Sequence, residues 1–315
     1  MNKAYKLSLW ILQQDPGNES GLAPRAAKGM LALLSGDPGG GKTYLSLAIA
    51  AALSNGRTPF TQKSCEPVNT VYLSLENSAA HVVRPRFDSL GGDCRRFYLL
   101  PGTVALSDIS TLAQAITEAK AGLLIVDPIQ SYLGADVDLH RSNETRPVLD
   151  GLVDLACELN CCILLVRHLA KSSGGRAIHR GLGSIDITGA ARTELLAGSA
   201  PNEPNNRAMI QIKNNLGEYG DALGYSIGSD GFTWTGKSDL TENDLLSPSG
   251  GADRQSEVDR AVEYLKSELA SGRRLQHEIV EMGMFPEWTL QRAARKVSVR
   301  RSRDGERGPW FWSLP

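Results

Sequence analysis

A glycine-rich turn at residues 36–43 has the residue types and the spacing that bind a phosphate chain. It reads GDPGGGKT and fits the pattern G-x-x-x-x-G-K-[ST]. Glycines let backbone N–H groups converge on phosphate oxygens, and the N-terminus of the following helix adds partial positive charge. A plain flexible loop between strand and helix is the alternative. The turn predicts a nucleoside-triphosphate site formed by Gly36, Asp37, Pro38, Gly39, Gly40, Gly41, Lys42, Thr43 and Tyr44.

Three residues have predicted roles around that phosphate chain. Lys42 is expected to reach the β- and γ-phosphates, and the Thr43 hydroxyl is expected to hold Mg²⁺. Asp127 ends the apolar run GLLIVD, where a second Mg²⁺ ligand would lie. The sequence therefore predicts Mg²⁺, with Thr43 and Asp127 as its protein ligands.

The residue that activates water must come from outside this motif, because Pro128 follows Asp127 and has no acidic side chain. Glu76 is the candidate, since it ends the apolar run VYLSLE, a strand expected to lie next to the strand before the glycine-rich turn. A carboxylate there could hydrogen-bond the attacking water. Alternatively, Glu76 caps the helix that begins near Asn77.

His168 follows the apolar run CCILLVR and is a candidate sensor of the γ-phosphate. A lone histidine is more often structural, and that reading stays open from spacing alone. The remaining histidines share no metal-ligand spacing, so no metal other than Mg²⁺ is predicted: His81, His140, His179 and His277.

Apolar runs alternate with helical patterns from about residue 29 to residue 234, which predicts an α/β fold. Near-continuous apolar runs suit strands buried on both faces of a parallel sheet, and closely spaced later runs suggest antiparallel hairpins at its end. The predicted strands are 30–36, 70–76, 122–127, 161–167, 193–198, 208–213 and 223–228, and the predicted helices include 44–52, 110–119 and 145–159.

The chain is predicted to have four parts. A lead segment at 1–28 precedes an ATPase-type domain at 29–235, and a polar linker rich in Ser, Gly and Asp occupies 236–255. Residues 256–315 have the outline of a winged helix-turn-helix, with three helices and a two-stranded wing.

Basic residues cluster in the last part of the chain, as phosphate contacts require: Arg292, Arg295, Lys296, Arg300, Arg301, Arg303 and Arg307. Trp310 and Trp312 are expected to share one face of the wing and to pack on the helices. Small winged modules also mediate protein contacts, and that alternative remains open.

Composition excludes several classes of protein. The net charge of the 315-residue chain is -1, so no global field attracts nucleic acid or membrane. The five cysteines lack C-x-x-C spacing, which favours free thiols in a reducing compartment. No signal peptide or membrane span is recognised. A cytoplasmic protein without membrane partners is expected.

Taken in order, the motifs resemble those of the RepA-type hexameric helicase ATPases, a branch of the RecA/DnaB superfamily found on plasmids, phages and mobile elements. The similar segments are SGDPGGGKTYLSLAIA, VYLSLEN, LLIVDPIQSYL, ILLVRHLAKS, RGLGSIDITGAARTELL and MIQIKNNLGEYGDALGYSI, which together span about residues 25–235. The resemblance implies a RecA-like P-loop sheet, ATP as the nucleotide, and catalytic roles for Glu76 and His168.

The resemblance also implies residues that act in the neighbouring subunit. Arg192 matches an arginine finger, and Lys213 matches a second basic group that acts in trans. DnaB-type helicases usually carry an arginine two residues after that lysine, where this chain has Asn215. A structural ion pair for Arg192 and a solvated strand end for Lys213 are the alternatives.

Two functions follow as expectations. The first is an ATP-driven DNA helicase, in which a homo-oligomeric, hexameric ring moves single-stranded DNA. In such a ring the basic loop at 168–184 could face the pore and follow a phosphate backbone. Alternatively, it is a surface loop without that role. A replication initiator or a primase is a further candidate partner. No primase segment is recognised, and the lead segment before the first predicted strand has no room for one. The second is an ATP-dependent DNA-binding or regulatory protein that does not translocate. A RadA-like ATPase usually carries zinc-binding cysteines that are missing here, and Pro128 argues against an AAA+ loader.

Overall fold

The structure is a computed structural model that describes residues 26–100, 104–133, 141–169, 185–200, 203–228, 231–246, 257–270, 272–281, 285, 287–303, 305 and 308–315. The chain divides into two compact units, residues 1–249 and residues 250–315. The predicted basic loop with Lys171, Arg176 and Arg180 lies outside the described residues, as do Arg307, residues 1–25 of the lead segment and residues 247–255 of the predicted linker.

The first unit contains one nine-stranded sheet, in the order β3-β2-β4-β5-β1-β6-β7-β8-β9. The strands from β3 to β6 in that order pair in parallel, and β6 to β9 pair antiparallel. The predicted α/β fold, with a parallel sheet that finishes in antiparallel hairpins, is confirmed. The strands are β1 (Leu31–Gly36), β2 (Asn69–Ser74), β3 (Phe97–Leu100), β4 (Ala121–Asp127), β5 (Cys162–His168), β6 (Thr193–Ala200), β7 (Glu203–Asn214), β8 (Leu223–Gly228) and β9 (Gly231–Lys237).

Helices cover both faces of the sheet. Alternate residues of its central strands point to opposite sides, and the apolar side chains on each side need a partner layer. One face packs against α1 and α2, and the other packs against α3, α4 and α5. This is why the central strands read as continuous apolar runs. None of the helices in the described residues is long and apolar enough to cross a membrane. Among the described residues, the α-helices of this unit are α1 (Lys42–Ser54), α2 (Arg84–Ser89), α3 (Ile109–Ala119), α4 (Ser142–Leu159), α5 (Ile185–Ala190) and α6 (Glu242–Leu246).

Two details of the sheet differ from the sequence-based prediction. The strand that leads to Glu76 is not next to the strand before the glycine-rich turn, because β4 and β5 lie between β2 and β1. Crossover connections let parallel strands pair out of chain order, so proximity along the chain gave the wrong neighbour. The edge strand β3 was not predicted. It has only four residues, and its central Tyr98 and Leu99 are about two-fifths exposed.

The second unit, described by itself, consists of three helices and a three-stranded antiparallel sheet in the order β10-β12-β11. Its core is formed by apolar residues of α7, α8 and α9 together with Trp312. The elements follow one another as α7 (Glu257–Leu269), β10 (Arg274–Leu275), α8 (Gln276–Glu281), α9 (Glu287–Lys296), β11 (Arg300–Arg303) and β12 (Trp310–Ser313).

The two tryptophans of β12 have different environments, which corrects the expectation that both pack on the helices. Trp312 is fully buried, whereas Trp310 is 49% exposed. Trp310 lies 5.5 Å from the guanidinium of Arg303, and this cation–π contact covers one face of the ring without burying it. The described basic residues of this unit that were singled out above are exposed: Arg292, Arg295, Lys296, Arg300, Arg301 and Arg303.

Candidate active site

The glycine-rich turn connects the end of β1 to the start of α1, as predicted. Gly36 is the last residue of β1, and Lys42 is the first residue of α1. Gly39 and Gly41 have φ angles of 79° and 85°, a left-handed conformation that other residues adopt only at a cost. The turn is closed by the Gly40 N–H, which donates to the Asp37 carbonyl at 3.0 Å. The loop therefore needs glycine for its backbone conformation.

The turn is also held from behind by the antiparallel half of the sheet. The Tyr225 hydroxyl donates to the Gly40 carbonyl at 2.9 Å, and Arg207 Nη1 donates to the Gly39 carbonyl at 3.0 Å. A Cβ atom on Gly36 would lie 2.2 Å from the Ala197 carbonyl oxygen. Sequence reasoning missed Tyr225 and Arg207, because they lie more than 160 residues from the turn and belong to no phosphate-binding motif.

Lys42 is buried within the turn that it follows. Its Nζ donates to the carbonyls of Gly36 and Asp37, each at 2.9 Å. Burial lowers the pKa of Lys42 to about 8, although the nearby Asp127, Asp37 and Glu76 act in the opposite direction. The hydrogen-bond partners of this ammonium are neutral carbonyls. A phosphate group would give it an anionic partner, so the turn suits an anionic ligand.

Asp127 ends β4 beside the turn, and two hydroxyl groups hold its carboxylate. The hydroxyl of Tyr72 donates to Asp127 Oδ2 at 2.7 Å, and Thr43 also forms a side-chain hydrogen bond with it. Burial raises the pKa of Asp127, and these two hydrogen bonds oppose the rise. Sequence reasoning missed Tyr72, which lies in the middle of an apolar strand and reads as a core residue.

Thr43 and Asp127 fit the protein part of a Mg²⁺ site. Mg²⁺ is usually held by one or two carboxylates together with substrate phosphates and water, rather than by a cage of protein ligands. The described residues contain no cluster of three or more His, Cys, Asp or Glu side chains that could hold a metal. The hydroxyl and carboxylate beside a phosphate-binding turn therefore suit a metal that arrives with a nucleotide.

Glu76 and His168 come together at the same edge of the sheet. His168 Nε2 lies 3.8 Å from Glu76 Oε2, and His168 pairs with Gly36 across β5 and β1. Burial, followed by the charge of Lys42, lowers the pKa of His168. Glu76 is about half exposed, so a small molecule can reach its carboxylate. The next helical segment, Ala79–Val83, is capped by Ser78 rather than by Glu76. The structure thus gathers Lys42, Thr43, Glu76, Asp127 and His168 in one place.

Arg192 and Lys213 lie elsewhere on the same chain. The Arg192 N–H donates to the carbonyl of Leu31, at the opposite end of β1 from Gly36. Gly36 lies five residues after Leu31 along the strand, roughly 16 Å at the usual rise per residue. The side chain of Arg192 is exposed. Arg192 is therefore not part of the glycine-rich site of its own chain.

Lys213 lies beside Arg192 and is engaged within its own chain. Its Nζ donates to the carbonyls of Thr188 and Ala191 at 2.6 and 2.7 Å, near the C-terminus of α5. Burial lowers the pKa of Lys213, and Arg192 lowers it further against the attraction of Glu194.

Tyr44, another predicted site residue, stacks on Phe232 with ring centroids 6.0 Å apart.

Three features together define a RecA-like P-loop protein. They are the glycine-rich turn, the Asp127 carboxylate at the end of β4, and the largely parallel sheet that holds both. A family described as "AAA domain" matches residues 10–174, just over half of the chain, and the chain belongs to that family.

Similar proteins include the DNA repair protein RadA of several bacteria. The chain is 30% identical to the protein of Streptococcus pyogenes serotype M6 over 145 residues, 45% of this chain and 28% of the relative. It is 28% identical to that of Bacillus subtilis over 146 residues, 46% of this chain and 29% of the relative. The chain thus spans less than a third of the length of these relatives. The RecA-like class is confirmed, whereas the RepA-type branch remains a prediction.

Proposed function

We propose that the protein is an ATP hydrolase in which ATP and Mg²⁺ bind at the turn between β1 and α1. The observation that carries this proposal is the convergence of Lys42, Thr43, Glu76, Asp127 and His168 at one edge of the sheet. These side chains supply a cation for the phosphates, two Mg²⁺ ligands, a base and a sensor.

Each side chain has a role that follows from its position. Lys42 exchanges its two backbone carbonyl partners for phosphate oxygens. Thr43 and Asp127 would hold Mg²⁺, which when bound would neutralise charge on the β- and γ-phosphates. Glu76 accepts a proton from the attacking water, since it is accessible and stays close to His168. His168 lies beside Gly36 and senses the γ-phosphate through Nε2.

Completion of the site requires a second subunit. Arg192 is exposed at the end of β1 that lies away from the turn, as expected of a residue that serves a neighbouring nucleotide. An active site completed by another subunit's cation couples hydrolysis to assembly. We therefore assign Arg192 as a finger in trans, with Lys213 beside it, in a homo-oligomeric, six-membered ring.

The proposed substrate of the ring is single-stranded DNA. Support comes from the relatives, whose name describes DNA repair, and from the exposed basic residues of α9 and β11. The order of elements in residues 257–315 suits a winged helix-turn-helix, which would recruit the DNA. We propose a RepA-like replicative helicase of a mobile element, active in the cytoplasm with an initiator or a primase as its partner.

A second candidate is an ATP-dependent DNA-binding or regulatory protein that does not translocate. The ammonium of Lys213 is already bound to carbonyls of its own chain, and Asn215 stands where DnaB-type helicases have an arginine. A weaker charge in trans suits slow hydrolysis that times assembly rather than drives movement.

The test is steady-state ATP hydrolysis by the full chain, with and without single-stranded DNA. Lys42→Ala should abolish turnover, and Glu76→Gln should bind ATP without hydrolysing it. Strong stimulation by DNA, together with displacement of a paired strand, supports the helicase. Slow turnover that DNA does not change favours the regulatory protein, and wild-type turnover in Lys42→Ala rejects the site itself.

The contribution of the basic tail is measured separately in the full chain. Arg292→Ala with Arg295→Ala removes two exposed cations of α9 and should raise the DNA concentration needed for stimulation. Lys63→Ala provides a control, since it removes an exposed cation outside the tail. An unchanged DNA dependence in the double variant would indicate that the tail binds protein instead.

A further inference from the structure

A buried charged pair lies directly behind the candidate active site. Arg167 and Glu194 are 1% and 0% exposed, and Arg167 Nη2 lies 2.5 Å from Glu194 Oε1. Arg167 immediately precedes His168 on β5, and Glu194 is the second residue of β6. Burial of two charges costs free energy that an apolar pair would not cost, so stability alone is a poor reason for the pair.

On one side, the pair is connected to the strand that ends in the glycine-rich turn. Ser35 Oγ donates to Glu194 Oε1 at 2.6 Å and accepts from Arg167 Nε at 3.2 Å. Ser35 is the residue before Gly36. The hydrogen bonds therefore join the last residues of β1 and β5 where these strands enter the nucleotide site.

On the other side, the pair is connected to the segment that leads to Arg192. Arg167 Nη2 donates to Thr188 Oγ1 at 3.0 Å, and the carbonyl of Thr188 accepts from Lys213. Two cations thus hold the same residue of α5, one through its hydroxyl and one through its backbone. Lys213 also holds the carbonyl of Ala191, the residue before Arg192.

We propose that Arg167, held by Glu194, is a positioning residue that couples the nucleotide site of one subunit to the placement of Arg192 for the next. This inference rests on the proposed function, in which Arg192 acts in trans. A change at the His168 end of β5 moves Arg167, and its bond to Thr188 carries the change into the segment that ends at Arg192. Densely packed polar networks of this kind have discrete arrangements rather than continuous ones.

The first test replaces the buried pair by apolar residues of similar size. Arg167→Met combined with Glu194→Leu leaves no unpaired buried charge, and such exchanges often preserve folding. We expect kcat for ATP to fall about tenfold, with KM changed less than about twofold, since coupling residues outside the ligand contacts have effects of this order. Unchanged kcat in this variant overturns the inference.

A finer test removes only the link to α5. Thr188→Val keeps the branched shape but lacks the hydroxyl that accepts from Arg167, whereas Thr188→Ser keeps the hydroxyl. The valine variant should lower kcat in the same direction, and the serine variant should restore it. Ser54→Ala is the matched control, because it removes another buried hydroxyl, which donates to the Ala51 carbonyl far from this network. An equal loss of kcat in Ser54→Ala and Thr188→Val would overturn the inference. This test still decides the question if the double variant fails to fold.

The last test asks whether the effect passes through Arg192. If it does, adding Arg167→Met and Glu194→Leu to Arg192→Ala should cause no further loss of kcat, because the effects of residues on one path do not add. Additive losses overturn the coupling. The two proposals fail separately: wild-type turnover in Arg192→Ala rejects the role of Arg192 in the proposed function, whereas a loss there with normal turnover in Thr188→Val rejects only this inference.

Discussion

The hydroxyl of Tyr72 donates a 2.7 Å hydrogen bond to Oδ2 of Asp127, and both residues are buried. They lie on the neighbouring strands β2 and β4, where Ser74 pairs with Asp127, so the phenol reaches the carboxylate from two residues earlier on the adjacent strand. Burial and the charge of Asp127 raise the pKa of Tyr72 well above its usual value, so the phenol remains a donor at any physiological pH. Tyr72 thus orients a proposed Mg²⁺ ligand.

Tyr72→Phe should lower the free energy of unfolding and raise the Mg²⁺ concentration that ATP turnover requires. Loss of a hydrogen bond to a buried charged group costs about 1–3 kcal/mol of unfolding free energy, and the pKa of Asp127 should rise further once one donor is gone. Urea unfolding and a Mg²⁺ titration of ATP turnover measure the two effects. Tyr132→Phe is the control, because its buried hydroxyl has no hydrogen-bond partner among the described residues. Equal effects of the two substitutions would contradict the assigned role of Tyr72.

Gly36→Ala should destabilise the protein more than Gly39→Ala. The added Cβ at position 36 would lie 2.2 Å from a backbone oxygen of β6, which cannot rotate away, so β1 and β6 would have to separate. A Cβ at position 39 would have no atom within 4 Å among the described residues beyond its chain neighbours, so the cost is the left-handed backbone, about 1–2 kcal/mol. Unfolding free energies of the two variants measure the difference. A more stable Gly36→Ala variant would show that the strands can move apart easily.

Trp312→Ala should disrupt the second unit, whereas Trp310→Ala should not. Truncation of a fully buried aromatic residue costs about 3–5 kcal/mol, and the exposed Trp310 contributes mainly its contact with Arg303. Hydrogen exchange of peptides from α9 reports the local stability of this unit without interference from the first. Equal protection in the two variants would mean that Trp312 does not anchor the core.

Alkylation of the native protein at pH 8 should modify Cys157 long before Cys161. Cys157 is exposed, while burial raises the pKa of the Cys161 thiol to about 12. The reactive form is the thiolate, and its fraction grows as pH rises towards the pKa, so Cys161 stays unreactive about four pH units below that value. Mass spectrometry of labelled peptides distinguishes the two sites. Modification of Cys161 at the rate of Cys157 without unfolding would contradict the buried position.

The turn, the strand ends that carry the candidate site residues and the class of fold could be predicted from local patterns. The glycine spacing located the phosphate site, and apolar runs placed Asp127 and His168 at strand ends because buried parallel strands leave an unmistakable composition. The neighbours of β2 could not be predicted, since crossover connections separate chain order from spatial order. Tyr72, Arg167 and Tyr225 were missed for a related reason: their partners lie 55, 27 and 185 residues away, and no short motif records such contacts.

The hydrogen bonds from Arg207 and Tyr225 to the glycine-rich turn have an evolutionary consequence. Both residues lie beyond position 174, where the family match ends, although the glycine-rich turn that they support lies within the match. Insertions and exchanges in the hairpin of β7 and β8 are therefore constrained by a loop encoded near the start of the chain. Recombination that transplanted residues 10–174 alone would deliver the phosphate-binding sequence without the side chains that hold its shape.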